Sequence, residues 1–120
     1  LHLLVVEGAT KFAKRALIAL EEQDYEVLEL SLTRSRDCVA DLMTGLRPDE
    51  PSEMLESLKM LFAYVFRSLA LADPERNPRL IENAIRILEV HRETWLELGQ
   101  QLAPEEESGV PAPLGRSWST

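Results

Sequence analysis

The amino-acid sequence predicts an all-α fold, namely an antiparallel up-down-up-down four-helix bundle followed by a disordered C-terminal tail. Apolar residues recur at helical spacing in four successive segments, and the breaks between the segments are short. Those breaks contain residues that cap or terminate helices, and no segment alternates apolar and polar residues as a strand would. The 120 residues are enough for one domain with one hydrophobic core.

The first two predicted helices cover about 1–23 and 25–44. The expected apolar face of the first comprises Leu1, Val5, Gly8, Phe12, Ala16 and Leu20. Because glycine destabilises a helix interior, Gly8 is best explained by a close approach to another helix. Gly8 and Phe12 are therefore the expected structural anchors of this helix. Asp24 is the expected cap of the second helix and Gly45 its terminator. The expected inward face of this helix comprises Leu28, Leu32, Ser35, Val39, Leu42 and Leu46.

The third predicted helix covers about 53–72, with Ser52 as its cap and an end before Asp73-Pro74. Its main apolar face comprises Leu58, Phe62, Val65, Leu69 and Ala72.

The fourth predicted helix covers about 78–102, with Asn77 as its cap and an end before Pro104. Its inward face comprises Ile81, Ala84, Leu88, His91, Trp95, Leu98 and Leu102. Trp95 is therefore expected to be a packing anchor, and Trp95→Ala should cost about 3–5 kcal/mol if the ring is fully buried. Residues 103–120 are rich in Pro, Ser, Gly and Glu, so we expect a flexible tail.

The third helix has more apolar residues than one buried face requires. A bundle helix that is apolar nearly all round is covered by a partner or has thickened contacts with its neighbours. The first explanation predicts a hydrophobic groove for an amphipathic helix, formed by Leu55, Met60, Tyr64, Phe66 and Leu71 together with Val27 and Leu30 of the second helix.

Composition excludes several classes of function. The net charge of −8, without a Lys/Arg cluster, argues against nucleic-acid binding, and no apolar run is long enough for membrane insertion. The single cysteine, Cys38, cannot form an internal disulfide, so a cytoplasmic location is expected. Cys38 lies near the predicted inward face and is expected to be an inert thiol.

The sequence contains no recognisable catalytic or metal-binding constellation. His2 and His91 are the only histidines, and neither has a cysteine or histidine at metal-ligand spacing. We therefore expect no enzyme activity, no metal and no cofactor. One alternative is a histidine-phosphotransfer-like or other helical signalling or adaptor bundle, in which His91 would be exposed. However, His91 falls on the inward face, and "RETW" replaces the lysine and small residues that usually follow the phosphorylated histidine.

Four motifs resemble the FliS family of flagellin-specific export chaperones. "IRILEVHRETW" is similar to the end of the family's last helix, and "LHLLVVEGATKFAKRA" resembles its first helix. "DYEVLELSLTRSRDCVADLMTGL" and "MLESLKMLFAYVFRSLALAD" resemble the second and third helices, so the match runs colinearly from about 1 to 98. His91 stands where the family's pattern has leucine.

The resemblance implies a cytoplasmic, nonenzymatic chaperone. Such a protein would bind the C-terminal amphipathic segment of flagellin, prevent premature polymerisation and support export through the flagellar type III apparatus. The export apparatus or a co-chaperone are further expected partners. A third hypothesis is that the protein is a structural module that self-associates through the third helix.

Overall fold

The computed structural model describes residues 1–46 and 52–107, with the backbone alone for residues 101–107. The described chain forms α1 (His2–Glu21), α2 (Tyr25–Thr44), α3 (Glu53–Glu75) and α4 (Pro78–Glu107). Each helix packs against the next, and α1 also packs against α4, so the four helices form a closed ring around one core. This confirms the predicted all-α four-helix bundle, and no strand occurs in the described ranges.

Contacts between helices link α1 to both of its neighbours and show that α1 and α4 run antiparallel. The hydroxyl of Ser35 on α2 donates a 2.7 Å hydrogen bond to the carbonyl oxygen of Ala9 on α1. Between α1 and α4, Glu7 pairs with Arg92, whereas Lys14, further along α1, pairs with Glu89, earlier on α4. The residue numbers therefore run in opposite directions along this pair of helices, as the predicted up-down-up-down order requires.

The three predicted N-caps are confirmed. The side chains of Asp24, Ser52 and Asn77 each accept a hydrogen bond from a backbone amide in the first turn of their helices. These bonds satisfy amides that have no partner within the helix, and they fix where α2, α3 and α4 begin.

The predicted ends of α3 and α4 were wrong. α3 continues through Pro74 to Glu75, and α4 runs past Pro104 to Glu107, so residues 103–107 are helical rather than part of a tail. A proline near a helix end removes one backbone donor, and the rest of the hydrogen-bond ladder can continue. The chain leaves α3 at Arg76, whose φ of 50° lies in the left-handed region. The rest of the predicted tail, residues 108–120, lies outside the described residues.

The buried face of α1 is displaced from the predicted one. Of the six predicted positions only Ala16 is fully buried, and Leu1 is 74% exposed. The face that contacts the core consists of small residues, namely Val6, Ala9, Thr10, Ala13, Ala16 and Ala19. Alanine side chains allow α1 to lie close to both of its neighbours, so the larger apolar residues are left at the margins of the interface.

The inward faces of the other helices are confirmed. Every predicted member whose side chain is described is buried or partly buried, and the partly buried ones are Leu46, Leu58, Trp95 and Leu98. Phe62 is the largest fully buried side chain among the described residues. Among the described residues, no helix is long and apolar enough to cross a bilayer.

Candidate binding surface on helices α3 and α4

Three apolar residues of α3 form an exposed ridge. Met60, Tyr64 and Leu71 are 73%, 43% and 47% exposed, respectively. Their spacing of four and seven residues places them along one face of the helix. We call these three residues the α3 ridge. Because the core already occupies the opposite face of α3, the ridge extends the helix's apolar surface to solvent.

A shallow apolar depression adjoins the α3 ridge. It has a volume of about 360 Å³ and is lined by Leu61, Arg86, Ile87, Val90, His91 and Thr94. Leu61 precedes Tyr64 by three residues, so the depression and the ridge are neighbours on the helix surface. Val90 on the α4 side is 56% exposed. We call the α3 ridge together with Leu61, Ile87 and Val90 the α3–α4 surface.

The α4 half of this surface was not predicted from the sequence, although a signal for it exists. Asn83, Ile87, Val90 and Thr94 recur at steps of four and three, which defines a second row beside the buried face of α4. The row is half polar, so it is weaker than the fully apolar inward face.

Leu55 and Phe66 lie on the other flank of α3. Both are partly buried, and Phe66 packs against the hydrophobic core. Leu55 and Phe66 are eleven residues apart and share a face, whereas Leu61 is five positions from Phe66 and points to a different side. Phe66 therefore contributes to packing, as the explanation by thickened contacts with neighbouring helices predicts, and Leu55 lies on the same flank.

Val27 and Leu30 lie on α2, away from the α3–α4 surface. They are 37% and 52% exposed. Both share a face with Arg34, which follows them by seven and four residues, and Arg34 reaches over the ring of Phe12 on α1. The structure thus places this pair beside α1, and the seven predicted groove residues divide among three surfaces.

The predicted anchors Gly8 and Phe12 lie along the seam between α1 and α2. A Cβ added at Gly8 would be 3.4 Å from the sulfur of Cys38, so the two helices approach closely at this point. Phe12 is partly buried, but it is not among the side chains that pack against the core. Burial, with additional contributions from Asp41 and Asp37, raises the pKa of the Cys38 thiol, which keeps it protonated and unreactive.

An aromatic cluster surrounds His91 beside the first turn of α1. His91 is buried, and its Nε2 lies 2.8 Å from the Nε2 of His2. The rings of Phe62 and Trp95 have centroids 5.1 Å and 5.7 Å from the His91 ring, and Trp95, which is only partly buried, lies 4.3 Å from the His2 ring. Burial lowers the pKa of His91 below its usual value. A phosphotransfer histidine has to be exposed, so this geometry does not support the signalling alternative.

A second cleft, between α1 and α4, is charged. Its volume is about 700 Å³, and it is lined by Glu7, Thr10, Lys11, Lys14, Arg15, Ile18, Glu89, Arg92 and Glu93. Two ion pairs cross it, Lys14–Glu89 at 3.0 Å and Arg92–Glu7 at 2.7 Å. Most of its charges are thus balanced within the protein, which makes it a weaker candidate for binding than the α3–α4 surface. No group of three potential metal-ligating side chains occurs among the described residues.

The antiparallel bundle and its exposed apolar surface define a helical protein-binding module. The family model of the flagellar protein FliS matches residues 1–102, and the chain belongs to the FliS family. This confirms the resemblance seen in the four sequence motifs. Members of the family are cytoplasmic, nonenzymatic export chaperones specific for flagellin. A comparison with curated proteins finds no match.

Proposed function

We propose that the α3–α4 surface binds the C-terminal amphipathic segment of flagellin and prevents its polymerisation before export. The observation that supports this location is the contiguity of the exposed α3 ridge with the apolar depression beside it. An amphipathic helix that docks in a groove is bound through apolar residues at steps of three and four, and the α3 ridge has the matching spacing. In this proposal the chaperone covers the face that the client would otherwise use in a filament.

The exposed apolar side chains supply the driving force for binding. Complete burial of one Met, Leu or Val side chain contributes about 1.5–3 kcal/mol relative to full exposure, and each side chain of this surface gains in proportion to its exposed fraction. Met60 has a flexible, polarisable side chain that adapts to irregular partners. Arg86 and Thr94 add polar groups at the rim of the depression, where they fix the orientation of the bound segment.

Calorimetric titration with a synthetic peptide of the flagellin C-terminal segment tests the location. Met60→Glu and Val90→Glu each place a charge on the α3–α4 surface, and we expect each to weaken binding at least tenfold, or about 1.4 kcal/mol. Leu30→Glu is the matched control, because Leu30 is also about half exposed but lies on α2. Binding that is lost in the Leu30 variant and retained in the Met60 variant would overturn the proposed location. Phe66→Glu is a poor test because Phe66 packs against the core.

Self-association through α3 is a competing use of the same surface. Light scattering across a range of protein concentrations separates the two functions. A chaperone should keep a constant mass and bind the peptide. A mass that rises with concentration, returns to that of the monomer in Met60→Glu and is accompanied by no peptide binding would favour a structural module.

We also propose that contacts with the export apparatus or a co-chaperone lie outside the α3–α4 surface, because a bound client would cover it. Size-exclusion chromatography of the chaperone with its flagellin peptide and the third protein tests this. Co-elution of all three supports the proposal, whereas displacement of the flagellin peptide would contradict it.

A further inference from the structure

Three cations surround one partly buried aromatic ring at the seam between α1 and α2. Lys11 and Arg15 of α1 and Arg34 of α2 lie 5.8, 5.6 and 5.7 Å from the centroid of the Phe12 ring. At these distances the face of the ring attracts each cation by about 0.5–1 kcal/mol at an exposed site. The ring thus holds three positive charges together on the surface of a protein whose net charge is −8.

None of these three cations forms an ion pair with a described residue. Other cations do so, namely Lys14, Lys59, Arg76 and Arg92. Lys11 and Arg15 are four residues apart on one helix, an arrangement in which like charges repel. Lys11 and Arg15 also line the α1–α4 cleft, but none of its glutamates forms an ion pair with either of them, so an external anionic group would relieve this repulsion.

Exposed apolar side chains extend the cationic cluster along the seam. Leu30 and Val27 share the face of α2 that contains Arg34, as described above, and they are 52% and 37% exposed. We call Lys11, Phe12, Arg15, Val27, Leu30 and Arg34 the Phe12 patch. A ligand complementary to it needs carboxylates and apolar groups in alternation. A small inorganic anion would leave Leu30 and Val27 uncovered, whereas an acidic amphipathic helix covers both kinds of side chain.

We propose that the Phe12 patch is a second docking site, which binds an acidic amphipathic helical segment of another protein. Carboxylates of the partner bind the guanidinium groups of Arg15 and Arg34, whose planar fork accepts a carboxylate through two parallel hydrogen bonds. Apolar side chains of the partner cover Phe12 and Leu30. Asp37 and Asp41, further along α2, are near enough to act electrostatically on Cys38, so they repel acidic residues there and set one end of the site.

The Phe12 patch is separate from the α3–α4 surface. It lies on α1 and α2, on the far side of the ring of helices from the depression between α3 and α4. A bound client and an acidic partner could therefore be held at the same time. The inference does not depend on the proposed flagellin site, and each of the two sites is tested by its own ligand.

Fluorescence anisotropy with a labelled synthetic peptide tests the patch. The probe is an acidic helical peptide with Glu and Leu at steps of three and four, and its reference is the same peptide with Lys in place of Glu. The acidic probe should bind below about 100 µM, and the double variant Arg15→Glu/Arg34→Glu should weaken binding at least tenfold. Raising the salt from about 50 mM to about 500 mM should weaken it as well, because the contact is made of exposed charges.

A matched control separates the patch from net charge. Lys59→Glu/Arg79→Glu changes the charge by the same amount at two positions outside both proposed binding surfaces. We expect this variant to bind the probe within about twofold of the parent protein. Phe12→Leu keeps an apolar side chain without the aromatic ring, and it should weaken binding severalfold by releasing the three cations.

Several outcomes would overturn the proposal. These are the absence of binding to the parent protein, equal losses in the patch and control variants, or affinity that is independent of salt. A dimer of the parent protein that dissociates in Arg15→Glu/Arg34→Glu would assign the patch to self-association instead. Circular dichroism checks that the variants are folded, and Arg15→Gln/Arg34→Gln repeats the test without reversing the charge.

Discussion

His2 and His91 connect the first turn of α1 to α4 through a contact of 2.8 Å between their Nε2 atoms. In such a pair one ring donates and the other accepts, so the bond requires at least one neutral imidazole. Phe62 of α3 and Trp95 of α4 enclose the pair with uncharged rings.

We predict that this histidine pair makes the bundle less stable in acid. Burial, followed by the charge of His91, lowers the pKa of His2 from 6.5 to about 4, and burial lowers the pKa of His91 as well. Between pH 6.5 and about pH 4 the unfolded chain therefore binds more protons than the native one. The contribution of the histidine pair to the free energy of unfolding is therefore complete above pH 6.5 and declines as the pH falls toward 4. When both rings are charged, both Nε2 atoms are donors and the contact is lost.

Urea unfolding followed by circular dichroism measures this effect. From pH 7 to pH 4.5 the parent protein should lose about 1–2 kcal/mol more than the double variant His2→Leu/His91→Leu, after allowance for the solvent exposure of His2. The comparison with the variant removes the contribution of the carboxylates, which titrate in both proteins. Parallel pH profiles for the two proteins would refute the assignment.

The inward faces of α2, α3 and α4 were predictable because their buried residues are large and regularly spaced. α1 was not, since alanines form its buried face and a hydrophobicity pattern gives more weight to Leu1 and Phe12. Only the three-dimensional packing shows that α1 lies close to its neighbours and leaves the larger side chains at the edge. Capping residues predicted the helix starts well, whereas the two prolines misled the prediction of the helix ends.

The candidate site was only partly predictable for a related reason. The excess apolar surface of α3 is visible in the sequence, and Met60, Tyr64 and Leu71 are exposed as expected. Which neighbouring helix completes the surface depends on the direction each flank of α3 faces. Periodicity within one helix does not contain that information. The prediction therefore included Val27 and Leu30 of α2, whereas the residues beside the ridge belong to α4.

Phe62 and Trp95 should differ in their contributions to stability, although both belong to the aromatic cluster around His91. Phe62 is fully buried, so Phe62→Ala should cost about 3–5 kcal/mol through lost contacts and a residual cavity. Trp95 is partly exposed, so Trp95→Ala should cost about half of that or less. Urea unfolding of the two variants provides the comparison, and equal losses would show that Trp95 is a core residue in solution.

Ser35 is a buried polar residue whose hydroxyl stabilises the contact between α1 and α2. Its side chain is fully buried, and it donates to the carbonyl oxygen of Ala9 at 2.7 Å. Ser35→Ala should lower the free energy of unfolding by about 1 kcal/mol, the usual net contribution of such a bond. Thr44→Ala is a suitable control, because its hydroxyl also donates to a carbonyl but is exposed. We expect a change of less than about 0.5 kcal/mol for that variant.

Gly8 provides a test of how tightly α1 and α2 are packed. A methyl group at this position would lie 3.4 Å from the sulfur of Cys38, which is an ordinary van der Waals distance. Gly8→Ala should therefore fit, and it should raise the free energy of unfolding by about 0.5–1 kcal/mol because alanine favours the helix interior. A larger side chain would have to displace Cys38 or the helix, so Gly8→Leu should lower stability by about 1–3 kcal/mol. Thermal unfolding of both variants checks the two signs. Destabilisation by Gly8→Ala would mean that the added methyl group lies closer to the Cys38 sulfur than 3.4 Å.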